Sequence, residues 1–322
     1  MTAAHRERPE PIKAKPVRRP ARWIGIVVLA VLVAMFVHML VTNDAFEWAF
    51  MVDNMFRPAV INGVKGTIAL CICAMLLGAG LGILVAVMRL SSSWVLRSVA
   101  FVYTWFFRAV PRLVLCVLFG SLGILWSTIG IGVPFDTYIG QLFGVEDLQL
   151  RIANLDANAL LSGFVAGLLA LGLSEAAYMA EIVRAGVQSI ERGQSEAAEA
   201  LGMTRRQTMR RIVLPQAMRV IVPPTGNETI AMLKDTSLVA YTPVTAELFF
   251  QLMEVGHRTF KVFPMLIAAC IWYLMLTSVL MVIQYFVERH FTKGYGPSER
   301  ARQRMRSITA EATGNPPREE PT

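Results

Sequence analysis

Charge is what this sequence has least of. Asp, Glu, Lys and Arg together make up 17% of 322 residues, against 55% hydrophobic residues, and the mean hydropathy is +0.50. That balance excludes an ordinary soluble domain and identifies an all-α polytopic membrane protein. Cysteine and histidine are also sparse, at four each. Cys71, Cys73, Cys116 and Cys270 all lie in apolar runs without His or acidic residues at ligand spacing, so neither a disulfide nor a metal is assigned. His38 and His257 stand alone and are read as packing or surface residues. No GxxxxGK[ST] loop is present, so ATP is not bound in that manner and active transport would need a partner's energy. HExxH, paired CxxC and GxSxG elements are missing as well, which argues against an enzyme and leaves no catalytic residue or cofactor to assign.

The formal charge is nevertheless +8. Lys and Arg concentrate in both tails and in one internal loop, the pattern of cytoplasmic membrane flanks and not of a nucleic-acid surface. Residues 1–22 form a basic, proline-containing tail, and residues 291–322 a second one, both expected to be disordered. Residues 23–41 form an apolar run about long enough to cross a bilayer. They lack a small-residue cleavage pattern, so an anchor helix is favoured over a signal peptide. An external segment, 42–61, follows. Further spans are predicted at 63–88, from 99 to 125 with an interruption at Arg108, Pro111 and Arg112, at 159–183, at 212–233 with a break at Pro223 and Pro224, and at 264–287. Residues 130–158 are acidic and less apolar and are placed outside, and 238–262 reads as a mixed outer segment. Two basic tails on the same side require an even number of crossings, which six spans supply.

The polar stretch 191–215 organises this layout. Ser195 is predicted to cap a helix of about two turns carrying Glu196 and Glu199 in its first turn, with Gly202 as its stop. Thr204 and Gln207 form a capping-box signature, so a second helix should run from there toward Leu214 and Pro215. A helix as short as the first is marginal in water, and its Ala197, Ala198, Ala200 and Leu201 suggest a surface that it presses against.

Glu196-Ala197-Ala198, then Gly202, then Ile212, Leu214 and Pro215, resemble the EAA-type loop of permease subunits of ATP-binding-cassette importers. The segments AAYMAEIVRAGVQSIERGQSEAAEALGM and NETIAMLKDTSL are similar to the polar amino-acid branch of that family, and the resemblance covers most of the chain from about Asn62 onward. The first span and the 130–158 insertion look like additions to the family's five-span core, giving a permease domain over 62–290. The family's arginine-glycine-x-proline element reads Arg108-Ala109-Val110-Pro111 here. The resemblance implies a second permease subunit, same or related, two ATPase subunits that carry the ATP and dock on the loop, an extracytoplasmic amino-acid-binding protein, and a location in a bacterial inner membrane with both termini cytoplasmic.

Charges within apolar spans cost on the order of 3 kcal/mol or more each at the bilayer centre and tend to line a cavity. Asn227, Glu228, Lys234, Asp235, Thr236 and Ser237 gather on the fifth span, and the resemblance makes them candidate substrate residues. Glu228 or Asp235 would accept an ammonium and Lys234 would meet a carboxylate, unless Lys234 and Asp235 only snorkel at the interface. Glu181 and Arg184 are expected to pair on one helix face, Glu175 stays open, and Arg108 and Arg112, four apart, are predicted to share a face toward lipid headgroups or acids on another span. Two functions follow: a permease moving polar amino acids or close derivatives, or a membrane scaffold or sensor that only holds a cytoplasmic partner. A secondary transporter leaves the loop unexplained.

Overall fold

The computed structural model describes residues 20–122, 128–132, 151–156, 163–242 and 244–292. Both basic tails, and most of the 130–158 insertion, therefore lie outside the described residues. The chain divides into two units, Met1–Trp48 and Ala49–Thr322.

In the first unit, α1 (Pro20–Thr42) is apolar all round, as a helix surrounded by lipid should be. Asn43 ends it by capping a 3₁₀ turn, its Oδ1 accepting from the Ala45 N–H at 2.9 Å. The indole of Trp48 donates back to the Leu40 carbonyl at 2.8 Å and stacks on Phe46. Such an aromatic clasp suits the membrane interface.

The second unit holds α2 (Trp48–Met55), α3 (Pro58–Leu90), α4 (Trp94–Ala109), α5 (Arg112–Gly120), α6 (Phe164–Gln188), α7 (Arg192–Ala200), α8 (Arg205–Thr208), α9 (Leu214–Asp235), α10 (Leu248–Thr259) and α11 (Val262–Thr292). Strands β1 (Thr128–Gly132) and β2 (Arg151–Asp156) pair antiparallel, with Ile129 opposite Leu155. Four helices, α1, α3, α6 and α11, are long and apolar enough to cross a membrane, and the pair α4–α5 makes five. The remaining expected crossing, α9, has the length, but Arg219, Glu228, Lys234 and Asp235 leave it too polar to qualify by composition.

Several predicted boundaries shift for local reasons. Proline at its first position starts α3 at Pro58, five residues before the expected 63. The third span begins at Trp94 and bends by 98° at Val110–Pro111. Arg108 and Arg112 therefore do not share one helix face. Pro223 and Pro224 do not break α9, which runs unbroken to Asp235 and is continuous, through one π turn at Met209–Val213, with the helix that Thr204 starts. Pro215 directly follows the π turn, where the hydrogen-bond pattern is already shifted, and it continues the rod instead of ending it.

Glycine sets the spacing around α3. A Cβ on Gly78 or Gly82 would collide with Glu175 or Met179 of α6, and one on Gly66 with the carbonyl of Ala246. These close approaches bring α6 and the 244–248 backbone against α3. One core joins Leu70 and Ala74 of α3, Leu115 of α5, Leu171 of α6 and Met232 of α9. A second joins Met51, Val60, Leu248, Leu252, Met265 and Trp272. The segment 238–262, read as a mixed outer one, thus contributes buried core: Leu248 and Leu252 are 0% exposed.

Glu247 fastens that segment. It is buried, and its carboxylate accepts from Thr67 Oγ1 of α3 at 2.9 Å, Tyr273 Oη of α11 at 2.5 Å and the Phe250 N–H at 3.1 Å. Thr67 Oγ1 in turn accepts from the Leu248 N–H at 3.1 Å. Glu247→Ala strands all three donors and is expected to destabilise the protein by about 3 kcal/mol or more, whereas Tyr273→Phe removes one bond and costs about 1–2 kcal/mol. Thermal melting in detergent checks the order; equal melting temperatures for the two variants would refute it.

Candidate functional site

The loop between α6 and α9 is built as a projecting helix with two fixed ends. Helix α7 starts at Arg192, so Ser195 lies inside it and not at its cap, and no acid occupies its first turn. Nothing in Arg192–Gln194 interrupts the helix, which explains the earlier start. Its end is the one expected. Gly202 adopts φ +79°, its N–H donates to the Glu199 carbonyl at 2.9 Å, and the Met203 N–H donates to the Ala198 carbonyl at 3.1 Å. These two bonds form a Schellman motif. The capping box also forms: the Thr204 N–H donates to Gln207 Oε1 at 2.8 Å and the Gln207 N–H to Thr204 Oγ1 at 3.4 Å.

Of the residues expected to couple, Glu196, Ala197, Gly202, Leu214 and Pro215 are exposed, Ile212 is half-buried, and Ala198 is buried. Ala198 therefore anchors the helix from within, while its neighbours face outward. Leu201 is 84% exposed, an apolar side chain at the loop tip with nothing over it among the described residues.

Within the helices, charge converges on Arg112. Its Nη1 lies 2.5 Å from Asp235 Oδ2, its Nη2 2.9 Å from Glu175 Oε2, and Glu228 Oε2 is 3.5 Å away. The side chains of Arg112 and Glu175 are 12% and 0% exposed. Three elements supply the cluster: the first turn of α5, the middle of α6, and the C-terminal half of α9, where Glu228 and Asp235 stand seven apart and so on one face. One cation thus faces three carboxylates at a depth where such groups are expensive. Glu175 Oε1 is buried without a hydrogen-bond partner among the described residues. The Tyr178 ring of α6 lies 4.8 Å from the Arg112 guanidinium and 5.4 Å from that of Arg108. The bend at Val110–Pro111 is what lets both arginines reach that ring.

Of the six candidates on the fifth span, Glu228 and Asp235 enter the cluster. The others do not. Lys234 is exposed, the Asn227 side chain accepts from Gln284 of α11 at 3.0 Å, and the Thr236 and Ser237 hydroxyls donate to the Leu233 and Lys234 carbonyls. Arg112 and Glu175 belong to the cluster although neither was among the candidates. The signal that could have found them is their position, since each is a charge inside an apolar stretch that needs a partner of opposite sign. Glu181 and Arg184 pair as expected at 2.6 Å, and Arg89 of α3 joins them at 2.8 Å.

A cavity of about 380 Å³ lies beside the cluster, walled by Arg89, Phe101, Trp105, Arg108, Tyr178 and Glu181. It mixes aromatic faces with fixed charges, as small polar ligands require. A larger one of about 600 Å³, among α6, α9 and α11, presents mainly apolar side chains such as Val183, Ile221, Leu280 and Ile283. Among the described residues, Glu288 is the one charged residue that lines it, so it offers no cation for the carboxylate of a zwitterion.

Comparison with known proteins identifies the relatives of this chain. The arginine transport system permease protein of Corynebacterium glutamicum is 43% identical over 295 residues, covering 92% of this chain and 88% of that protein. The glutamate/aspartate import permease protein of Escherichia coli is 32% identical over 247 residues, covering 76% and 98%. Among solved structures, the crystal structure of an amino acid ABC transporter with histidines matches at TM-score 0.58 and 30% identity, covering 76% of this chain and 98% of that one. Residues 78–293 match the family described as the binding-protein-dependent transport system inner membrane component. On these matches the chain belongs to that family, as a permease subunit of the amino-acid ABC importers.

Proposed function

We propose that this permease moves cationic amino acids across a bacterial inner membrane, paired with a second permease subunit, powered by two ATPase subunits docked on residues 191–215 and fed by an extracytoplasmic binding protein. The observation that carries the reading is the charge of the centre: Glu175, Glu228 and Asp235 surround a single guanidinium. In a low-dielectric site that surplus favours ligands that bring positive charge and disfavours glutamate or aspartate. The arginine transport permease of C. glutamicum supports the same cargo class. A scaffold that only held a cytoplasmic partner would have no use for a buried Glu175 with two half-buried carboxylates beside it at this cost.

The mechanism is positional, with no covalent step in this chain. Helices α6 and α9 carry the carboxylates and also lead into and out of the loop. When the ATPases close on ATP and carry α7 with them, the loop shifts the two helices relative to each other and changes which side of the membrane the centre faces. Exposed Glu196, Ala197, Leu201 and Gly202 supply the contact surface, and both tails stay on the cytoplasmic side with the ATPases.

Reconstitution in lipid vesicles with the ATPase and binding protein tests the proposal. Arginine and lysine are expected to stimulate ATP hydrolysis and to enter the vesicles, glutamine weakly and glutamate not at all; selective stimulation by glutamate would overturn the cargo class. Glu228→Gln and Asp235→Asn should each lower arginine uptake about tenfold or more while the ATPase still co-purifies, because a charged hydrogen bond to the ligand is worth roughly 1.5–3 kcal/mol. Lys234→Ala should leave uptake near the wild-type rate. Gly202→Val forces a β-branched residue to positive φ, a backbone cost of roughly 1–2 kcal/mol, with open space around the added carbons. It should keep the fold but lose cargo-stimulated hydrolysis, and normal stimulation in this variant would count against the loop's role.

A further inference from the structure

The candidate cargo site already contains a guanidinium, and it belongs to the chain itself. Arg112 occupies the first turn of α5, immediately after the 98° bend. A cation is disfavoured there by the helix dipole, so local helix structure gives no reason for an arginine. Its bonds run to Glu175 on α6 and Asp235 on α9, with Glu228 of α9 close by. Helix α6 ends at Gln188 and α9 begins at Leu214, so these partners flank the loop on both sides. A guanidinium bridging them sets the spacing between the two helices that move the loop.

The centre also offers more acceptors than Arg112 fills. Glu175 Oε1 is buried and unpartnered among the described residues, and Glu228 Oε2 stands at 3.5 Å, too far for a direct hydrogen bond. Beside it, Tyr178 presents a ring to both Arg112 and Arg108, a face on which a displaced guanidinium can rest.

We propose that Arg112 is a tethered competitor for the cationic group of the cargo: without cargo it clamps α6 to α9, and an incoming guanidinium or ammonium takes over the carboxylates and frees the two helices to move. This rests on the cationic-cargo reading above. The exchange swaps one hydrogen-bonded cation for another, so the carboxylates never stand without a counter-charge. It also assigns the site a regulatory function, since ATP hydrolysis would be held low until the clamp is displaced.

The test uses the full permease–ATPase complex in vesicles and measures hydrolysis with and without binding protein and arginine, lysine or glutamine. In Arg112→Leu, hydrolysis without cargo is expected to rise at least about fivefold, the low end of the coupling between linked sites, and arginine should add little further stimulation. Removing one partner of a buried ion pair can unfold a protein. The double variant Arg112→Leu/Glu175→Gln, which removes the cation together with one buried anion, carries the same expectation. If wild type responds to arginine and lysine but cargo-free hydrolysis in the folded variant stays at the wild-type level, the clamp is overturned and the cargo class stands. Should wild type respond to glutamine and not to arginine or lysine, the cargo class fails and the clamp fails with it.

Discussion

The buried pairing of Arg112 with carboxylates from two other helices is the constraint on which the inner structure depends. Inside a bilayer-spanning domain, no water is at hand to solvate Glu175, whose side chain is 0% exposed. Its charge has to be met by another side chain, and the chain supplies one from α5. That requirement explains the shape of the neighbourhood. The bend at Val110–Pro111 turns α5 inward, Gly78 clears room on α3 for the stem of Glu175, and α9 keeps Glu228 and Asp235 on one face. Loss of Arg112 leaves the buried carboxylate without its cation, at a cost of roughly 3–5 kcal/mol.

A contrast with Glu247 clarifies what the centre is for. Glu247 is as deeply buried, yet it receives hydrogen bonds from Thr67, Tyr273 and the Phe250 amide and needs no cation. One carboxylate serves as a fastener for α10, and its acceptor oxygens are used. The cluster around Arg112 keeps acceptor capacity in hand. Acids of the same unit are thus divided between one whose oxygens are all used and a set that keeps some free.

Much of this was legible in the sequence where local chemistry decides the outcome. Gly202 and the Thr204–Gln207 box set helix ends through backbone and near-neighbour bonds, and both formed as read. The apolar runs marked α1, α3, α6 and α11 because lipid rewards composition alone. What was not legible came from contacts distant in the chain. Ser195 reads as a cap because serine favours that position and two acids follow it, yet the helix extends back to Arg192. Pro223 and Pro224 suggested a break that the packed rod overrides. Lys234 is a candidate as the cation for a carboxylate, but adjacent residues on a helix point about 100° apart and it lies exposed beside Asp235. Arg112 and Glu175 are 63 positions apart, and only the folded arrangement makes them one site.

From Arg205 to Asp235 the chain forms one nearly continuous helical rod, interrupted in hydrogen-bond pattern only by the π turn at Met209–Val213. Its first end adjoins the loop helix Arg192–Ala200, and its far end carries two of the three carboxylates. A rod of about 1.5 Å per residue spans the distance without an intermediary joint. Signals along it therefore have no preferred direction. Whatever factor nucleotide binding takes from cargo affinity, cargo binding takes from nucleotide affinity in equal measure. In the proposed cycle the permease is then less a motor part driven from one end than a balance arm, on which cargo and nucleotide weigh against each other.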